Sequence, residues 1–91
     1  LYWFPDAFTP ANTEGLNDKF GLFAPLTITN YRLIIFNRYG QIIFESKDQT
    51  QLWDGRFNGE LVPNGVYIYD ATFKNPENEI QRYSGNVTLL R

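Results

Sequence analysis

The sequence has 91 residues, with ten acidic and eight basic side chains, and it contains no cysteine, histidine or methionine. One hydrophobic core suits this length and two do not, since separate domains need roughly 100 residues each. The net charge of −2 and the scattered basic residues exclude a nucleic-acid interface, which needs concentrated positive charge.

The missing residue types also limit the chemistry. Without cysteine and histidine, the chain has no disulfide framework, no zinc–thiolate site and no imidazole to activate a serine, so we expect no enzyme activity. No apolar run reaches the roughly 20 residues that span a membrane as a helix, and direct membrane insertion is not expected. The missing methionine indicates that Leu1 is not a natural start and that residues 1–91 form one domain of a longer protein.

The chain reads as β-structure throughout. Short apolar runs alternate with turn residues, and no window has apolar residues at helical spacing. Residues 2–8 suit an edge strand because Pro5 interrupts them, and residues 19–23 and 26–29 each predict a further short strand. An all-β sandwich of about seven strands is the predicted fold class.

A polar segment between these runs is a weak candidate for calcium. Oxygen-bearing side chains surround a glycine over residues 9–18, as hard cations prefer. The alternative is a polar loop whose side chains satisfy its own backbone amides. The candidate ligands are Asn12, Glu14, Asn17 and Asp18.

The clearest hairpin joins residues 31–37 to residues 41–46. Asn37 and Gly40 are turn residues that adopt positive φ at low cost. The first strand is apolar on both faces, as in a central strand. Strict alternation in the second strand places Ile43 on the same face as Glu45.

The turn formed by Trp53, Asp54 and Gly55 has two interpretations. Asp-Gly is a turn former, and Trp53 anchors that turn on the sandwich in the interpretation we favour. An exposed tryptophan stacked on a sugar ring is the alternative.

The second half contains another strong turn at Pro63, Asn64 and Gly65. It begins a strand over residues 66–74, in which the odd-numbered and even-numbered side chains take opposite faces. Residues 75–78 break that strand, and residues 79–83 and 86–91 follow. Gly85 between them predicts a bulge.

These features in order resemble the gliding motility-associated C-terminal domain, the type B C-terminal sorting domain of the type IX secretion system. Residues 6–10 read Asp-Ala-Phe-Thr-Pro and residues 15–20 read Gly-Leu-Asn-Asp-Lys-Phe, close to the opening motif of the family. The later motifs correspond to residues 35–40, 53–55, 63–69 and 85–91. Tyr39 stands where the family usually has tryptophan. Ala11 is an extra residue and Thr13-Glu14 replace Gly-Asp, which speaks against a cation site.

The resemblance implies a small immunoglobulin-like sandwich that acts as a secretion signal. It implies export across the outer membrane to the cell surface or medium, with type IX translocon components and an outer-membrane protein of the PorP/SprF type as partners. No cofactor beyond the calcium candidate is implied. An adhesive or carbohydrate-binding module of a surface protein is the alternative function.

Docking on those partners is assigned to the hairpin tip and the last strand, because of the aromatic–arginine tip and the terminal position of that strand. The predicted partner-binding residues are Arg38, Tyr39, Gly40, Val87, Leu89 and Arg91. Structural roles are expected for the other motif residues, which are Asn37, Trp53, Asp54, Gly55, Pro63, Gly65 and Tyr67.

Overall fold

The computed structural model describes residues 2–10, 18–23 and 27–91, and β-strands are the regular elements in these ranges. Alternating apolar and polar residues form the longer strands, and turn residues separate them. The seven strands are β1 (Ala7–Phe8), β2 (Thr29–Phe36), β3 (Ile42–Ser46), β4 (Arg56–Phe57), β5 (Glu60–Leu61), β6 (Gly65–Lys74) and β7 (Ile80–Leu89).

Five of the strands form one sheet in the order β1-β7-β6-β2-β3. Its pairs are antiparallel except for β1, which lies parallel to the end of β7. The second layer consists of the β4–β5 hairpin and two isolated bridges, Trp3–Phe23 and Phe20–Trp53. The predicted all-β, immunoglobulin-like sandwich is confirmed, with one parallel pair where antiparallel pairing was expected.

The core lies between the layers and is rich in aromatic rings. Phe4 stacks on Tyr69 with ring centroids 4.6 Å apart, and Trp53 contacts Phe8 at 5.2 Å and Tyr67 at 5.3 Å. These rings come from the second layer and from the inner face of the sheet. Aromatic contacts therefore join the two layers, in a chain that has no disulfide to do so.

The face assignment in β3 differs from the prediction. Ile35 pairs with Phe44 and Phe36 pairs with Ile42, so Ile43 is an extra residue in the strand. This bulge turns Ile43 into the core while Glu45 stays exposed. The expectation that Ile43 and Glu45 share a face is wrong, because a bulge shifts the two-residue period by one position.

The expected bulge at Gly85 is also wrong, because β7 runs unbroken and Gly85 pairs directly with Tyr69. A side chain at Gly85 would place its Cβ 3.0 Å from the Tyr69 hydroxyl and 3.2 Å from two ring carbons. The glycine is therefore explained by the Tyr69 ring that lies over it, as where another group approaches the backbone closely.

The β4–β5 hairpin was not predicted, although Asn58 and Gly59 both have the positive φ values of a tight two-residue turn. Residues 19–23 contribute only the two isolated bridges. Of residues 26–29, Leu26 lies outside the described residues and Thr29 begins β2.

Candidate docking surface

The β2–β3 hairpin tip and the turn before β6 lie together at one end of the sandwich. They surround an open depression of about 230 Å³. The described residues that line it include no aspartate or glutamate. The lining residues are Asn37, Arg38, Tyr39, Pro63, Asn64, Gly65, Val66 and Tyr67.

The hairpin tip is held in one conformation by Asn37. Its side-chain oxygen accepts hydrogen bonds from the backbone N–H groups of Tyr39 (2.9 Å) and Gln41 (3.0 Å). The Gly40 N–H donates to the Asn37 carbonyl at 3.0 Å, and Gly40 takes a φ of 82°. Of the two predicted positive-φ residues only Gly40 has one, and Asn37 acts through its side chain.

The rigid tip presents Arg38 and Tyr39 to solvent as a unit. The Arg38 Nη2 donates to the Tyr39 hydroxyl at 2.8 Å, and the guanidinium carbon lies 5.0 Å from the Tyr39 ring centroid. Tyr39 is nevertheless 78% exposed. An aromatic ring and a cation are thus held outward with little conformational freedom left to lose on binding.

The Arg91 side chain adds a second cation to this surface. The Asn64 side-chain oxygen accepts hydrogen bonds from the Arg91 backbone N–H (3.1 Å) and Nε (3.2 Å). Burial raises the pKa of Tyr67, and the positive charges of Arg91 and Arg38 lower it in part. Both arginines therefore act on one hydroxyl, which donates to the Pro63 carbonyl at 2.7 Å.

The charge of this end is not neutralised within the described residues. Described acidic side chains form salt bridges with Arg32, Arg56 and Arg82, but not with Arg38 or Arg91. The depression and its rim therefore have positive character.

An apolar row on the outer face of the sheet adjoins the depression. Phe36 pairs with Ile42 on one side and with Ile68 on the other, so the three side chains cross the sheet side by side. Ile42, Ile68 and Val66 are exposed, and Val66 also lines the depression. Contiguous exposed apolar side chains beside polar ones are typical of interaction sites.

The structure brings four of the predicted docking residues together at one end of the sandwich and buries the other two. Arg38, Tyr39 and Gly40 lie at the same end as Arg91. Val87 and Leu89 were predicted to bind a partner, but both side chains are 0% exposed. They are core residues, because the odd-numbered side chains at this end of β7 point to the inner face of the sheet.

The Trp53 turn is structural and cannot serve as a sugar platform in this fold. Trp53 is 0% exposed, and its Nε1 donates to the Arg56 carbonyl at 3.1 Å. Asp54 accepts a hydrogen bond from the Arg56 N–H at 3.2 Å, and Gly55 takes a φ of 81°. This geometry accounts for the Trp-Asp-Gly motif as an anchored turn.

The calcium candidates fall largely outside the described residues. Asn12, Glu14 and Asn17 lie there, and Asp18 is described as partly exposed. Within residues 2–10, 18–23 and 27–91, no three acidic side chains are grouped so as to hold a metal ion. Those same ranges contain no helix that is long and apolar enough to cross a membrane.

Sequence reasoning missed the apolar row and the role of Asn64. The row depends on the register between neighbouring strands. Part of this information was present in the sequence, because the alternation in residues 66–74 places Val66 and Ile68 on the same face. The bond from Arg91 to Asn64 joins residues 27 positions apart, and no local pattern encodes it.

Two comparisons with known proteins find matches. The family model CHU_C, described as a type IX secretion signal domain, matches residues 2–89. A search of the curated proteins found no match. Among solved structures, the chain is similar in fold to part of PorZ, described as an essential bacterial surface component of the type-IX secretion system of Porphyromonas gingivalis.

The PorZ match concerns the fold alone. The TM-score is 0.54 at 16% sequence identity, and the match covers all of this chain but only 11% of the PorZ chain. It thus supports the sandwich architecture independently of sequence.

Proposed function

This chain belongs to the type IX secretion signal domain family. We propose that it acts by non-catalytic docking through the end of the sandwich that carries the β2–β3 hairpin tip, here called the hairpin end. As a member it directs export across the outer membrane to the cell surface or medium through the type IX machinery. The finer proposal concerns which surface is used and which component it meets. That surface is the end formed by Arg38, Tyr39, Gly40 and Arg91, and its partner is an outer-membrane protein of the PorP/SprF type.

The rigid pairing of Arg38 with Tyr39 carries this proposal. Tyrosine and arginine are among the residues that contribute most to binding energy at protein interfaces. A preorganised loop loses less entropy on association than a mobile one. Asn37 gives this preorganisation through the two hydrogen bonds to the tip backbone.

The chemistry of the surface indicates the chemistry of its partner. Arg38 and Arg91 offer two cations without described carboxylate partners, and the row at Phe36, Ile42 and Ile68 offers apolar area. A partner with carboxylates facing the arginines and apolar side chains facing the row is complementary to both.

Docking without catalysis is consistent with the groups at this end. The chain lacks histidine and cysteine, and the depression is lined by no carboxyl group that could act as a general acid or base. The strong hydrogen bonds here hold the loops rather than activate a nucleophile. These features support a recognition module.

An export assay tests the docking surface. Residues 1–91 are fused after a fluorescent reporter with a signal peptide, in a gliding bacterium whose type IX system is intact or deleted, with the matching barrel protein present. We expect reporter outside the cell only in the intact strain. Arg38→Ala with Tyr39→Ala should reduce export at least tenfold, because both anchor side chains are lost.

A matched control keeps the result specific. Arg32→Ala also removes an exposed arginine, but one on the sheet face that is bound to Glu45 at 2.8 Å. It should leave export unchanged. Normal export of a folded Arg38/Tyr39 double variant would refute the hairpin docking, whereas failure of the unmodified fusion in the intact strain would refute the signal itself.

A further inference from the structure

Among the described residues, the outer edge of β7 has no pairing partner over most of its length. β1 pairs only with Thr88 and Leu89. The Thr88 N–H donates to the Asp6 carbonyl at 2.9 Å, so even-numbered β7 residues direct their backbone groups to this side. The two-residue period of a strand gives the same direction to Arg82, Ser84 and Asn86. No described strand pairs with them there.

This edge carries only one of the features that usually prevent edge-to-edge pairing, the charged side chain of Arg82. Residues 80–86 contain no proline and no lysine, and their pairing with β6 shows no bulge. The charge of Arg82 is held by Asp70 through bonds of 2.8 and 3.1 Å. Ile80 is 73% exposed. The opposite edge of the sheet, in contrast, carries the bulge at Ile43.

We propose that this edge pairs with the same edge of a second copy of the chain, antiparallel and around a two-fold axis at Tyr83. Unpaired main-chain N–H and C=O groups are complementary to another extended strand. Antiparallel pairing of a strand with itself forms a closed symmetric dimer with one continuous sheet.

The position of the axis follows from charge and from β1. An axis at Arg82 sets two arginines opposite each other, which is destabilising. An axis at Ser84 sets Ile80 opposite Thr88, which β1 already covers. An axis at Tyr83 avoids both problems, because Arg82 then faces Ser84 of the second copy and Ile80 faces Asn86.

The Tyr83 register makes good use of the side chains. The even-numbered residues, whose backbone groups point to the open edge, form the hydrogen-bonded pairs of the dimer. Tyr83 meets its symmetry mate at a non-hydrogen-bonded pair, where side chains approach closest. Tyr83 already lies in an aromatic cluster, stacked on Phe73 at 5.8 Å and 6.3 Å from Tyr2. Gln81 faces Gly85 of the second copy. A single strand pair of this length is a small interface, so we expect a weak, concentration-dependent dimer.

Cysteine cross-linking tests the register directly, since the natural chain has no cysteine. In Tyr83→Cys the two Cα atoms are about 4.5 Å apart in the dimer, within the range for a disulfide. In the control Gln81→Cys, the symmetry-related positions are offset by four residues, about 14 Å along the strand, beyond that range. We expect Tyr83→Cys to form covalent dimer at least tenfold faster under mild oxidation; equal rates would overturn the proposal.

A second pair of variants tests the edge without altering the aromatic cluster. Ser84→Pro removes an N–H that faces the open edge. The pairing with β6 stays intact, because an edge strand tolerates proline where the missing N–H would face away from its partner. Ser84→Ala is the control. Sedimentation equilibrium should show dimer for the unmodified chain and Ser84→Ala, and at least tenfold weaker association for Ser84→Pro.

Two outcomes of this measurement would contradict the pairing of a second copy with this edge. One is an unmodified chain that stays monomeric up to millimolar concentration. The other is a folded Ser84→Pro variant that associates as strongly as the unmodified chain. Loss of export in Ser84→Pro while the unmodified chain stays monomeric would instead identify a strand of the export machinery at this edge.

Discussion

Replacing Gly55 with alanine tests how the Trp53 turn is packed. Gly55 has a φ of 81°, a conformation that costs an L-residue about 1–2 kcal/mol. A Cβ at this position would lie 2.9 Å from both Cβ and Cγ of Pro10 and 3.3 Å from the Leu89 Cδ1. The proline ring cannot rotate away, and forced overpacking of this kind costs about 1–3 kcal/mol. Together these terms predict that Gly55→Ala loses about 2–5 kcal/mol of stability.

Gly59 provides a matched control within the same region. Its φ is 83°, but a Cβ there would meet no atom within 4 Å. Gly59→Ala therefore has only the conformational cost, about 1–2 kcal/mol. The difference between the variants isolates the contact with Pro10 and Leu89, and it should be about 1–3 kcal/mol.

Urea unfolding monitored by tryptophan fluorescence measures both losses, because Trp53 becomes exposed on unfolding. Thermal unfolding gives a second measure, because for a domain of this size each kcal/mol corresponds to about 4–8 °C in Tm. Gly55→Ala should therefore melt at least about 4 °C below Gly59→Ala. Equal free energies of unfolding for the two variants would refute the argument that close packing against Pro10 requires glycine at position 55.

Two further predictions concern the hairpin tip and the buried tyrosine. Asn37→Ala removes the acceptor of two backbone N–H groups and should cost about 1 kcal/mol in urea unfolding, while reducing export more than Arg32→Ala does; equal export by both variants would contradict the role of the rigid tip. Burial raises the pKa of Tyr31 to about 12, above its unfolded value, so the stabilisation is complete below pH 10 and is lost as the pH rises from 10 to 12. The free energy of unfolding should fall by up to about 3 kcal/mol over that range and by less in Tyr31→Phe; the same pH dependence in both proteins would assign the loss to other groups.

Local turn chemistry was predictable because it involves neighbouring residues. The β2–β3 hairpin and the turn at 63–65 follow from glycine, proline and asparagine at fixed offsets. The anchoring role of Trp53 was also predicted, because the Asp-Gly that follows it forms a turn and the neighbouring ring can fix that turn on the sandwich. The ordered motifs led to the secretion signal family, which the family match over residues 2–89 confirms.

The faces of the strands were predictable only in part. Alternation in β6 was correct because that strand has no bulge. It failed in β3, where the extra residue Ile43 follows from pairing with β2, and at Gly85, where the glycine accommodates the Tyr69 ring. Bulges and close approaches depend on the facing strand, which the local sequence does not specify.

The sequence by itself determined the all-β class, the turns and the aromatic core of this protein, because these depend on periodicity and on residue types next to each other. Only the tertiary structure decided which surfaces are available. The side chains of Val87 and Leu89 point to the inner face of the sheet and are buried, yet β1 is so short that no described strand covers the edge of residues 80–86. Arg91 meets the hairpin end through Asn64, 27 residues away. Strand order and long-range contacts are cooperative properties of the whole sandwich, and they place the candidate docking residues.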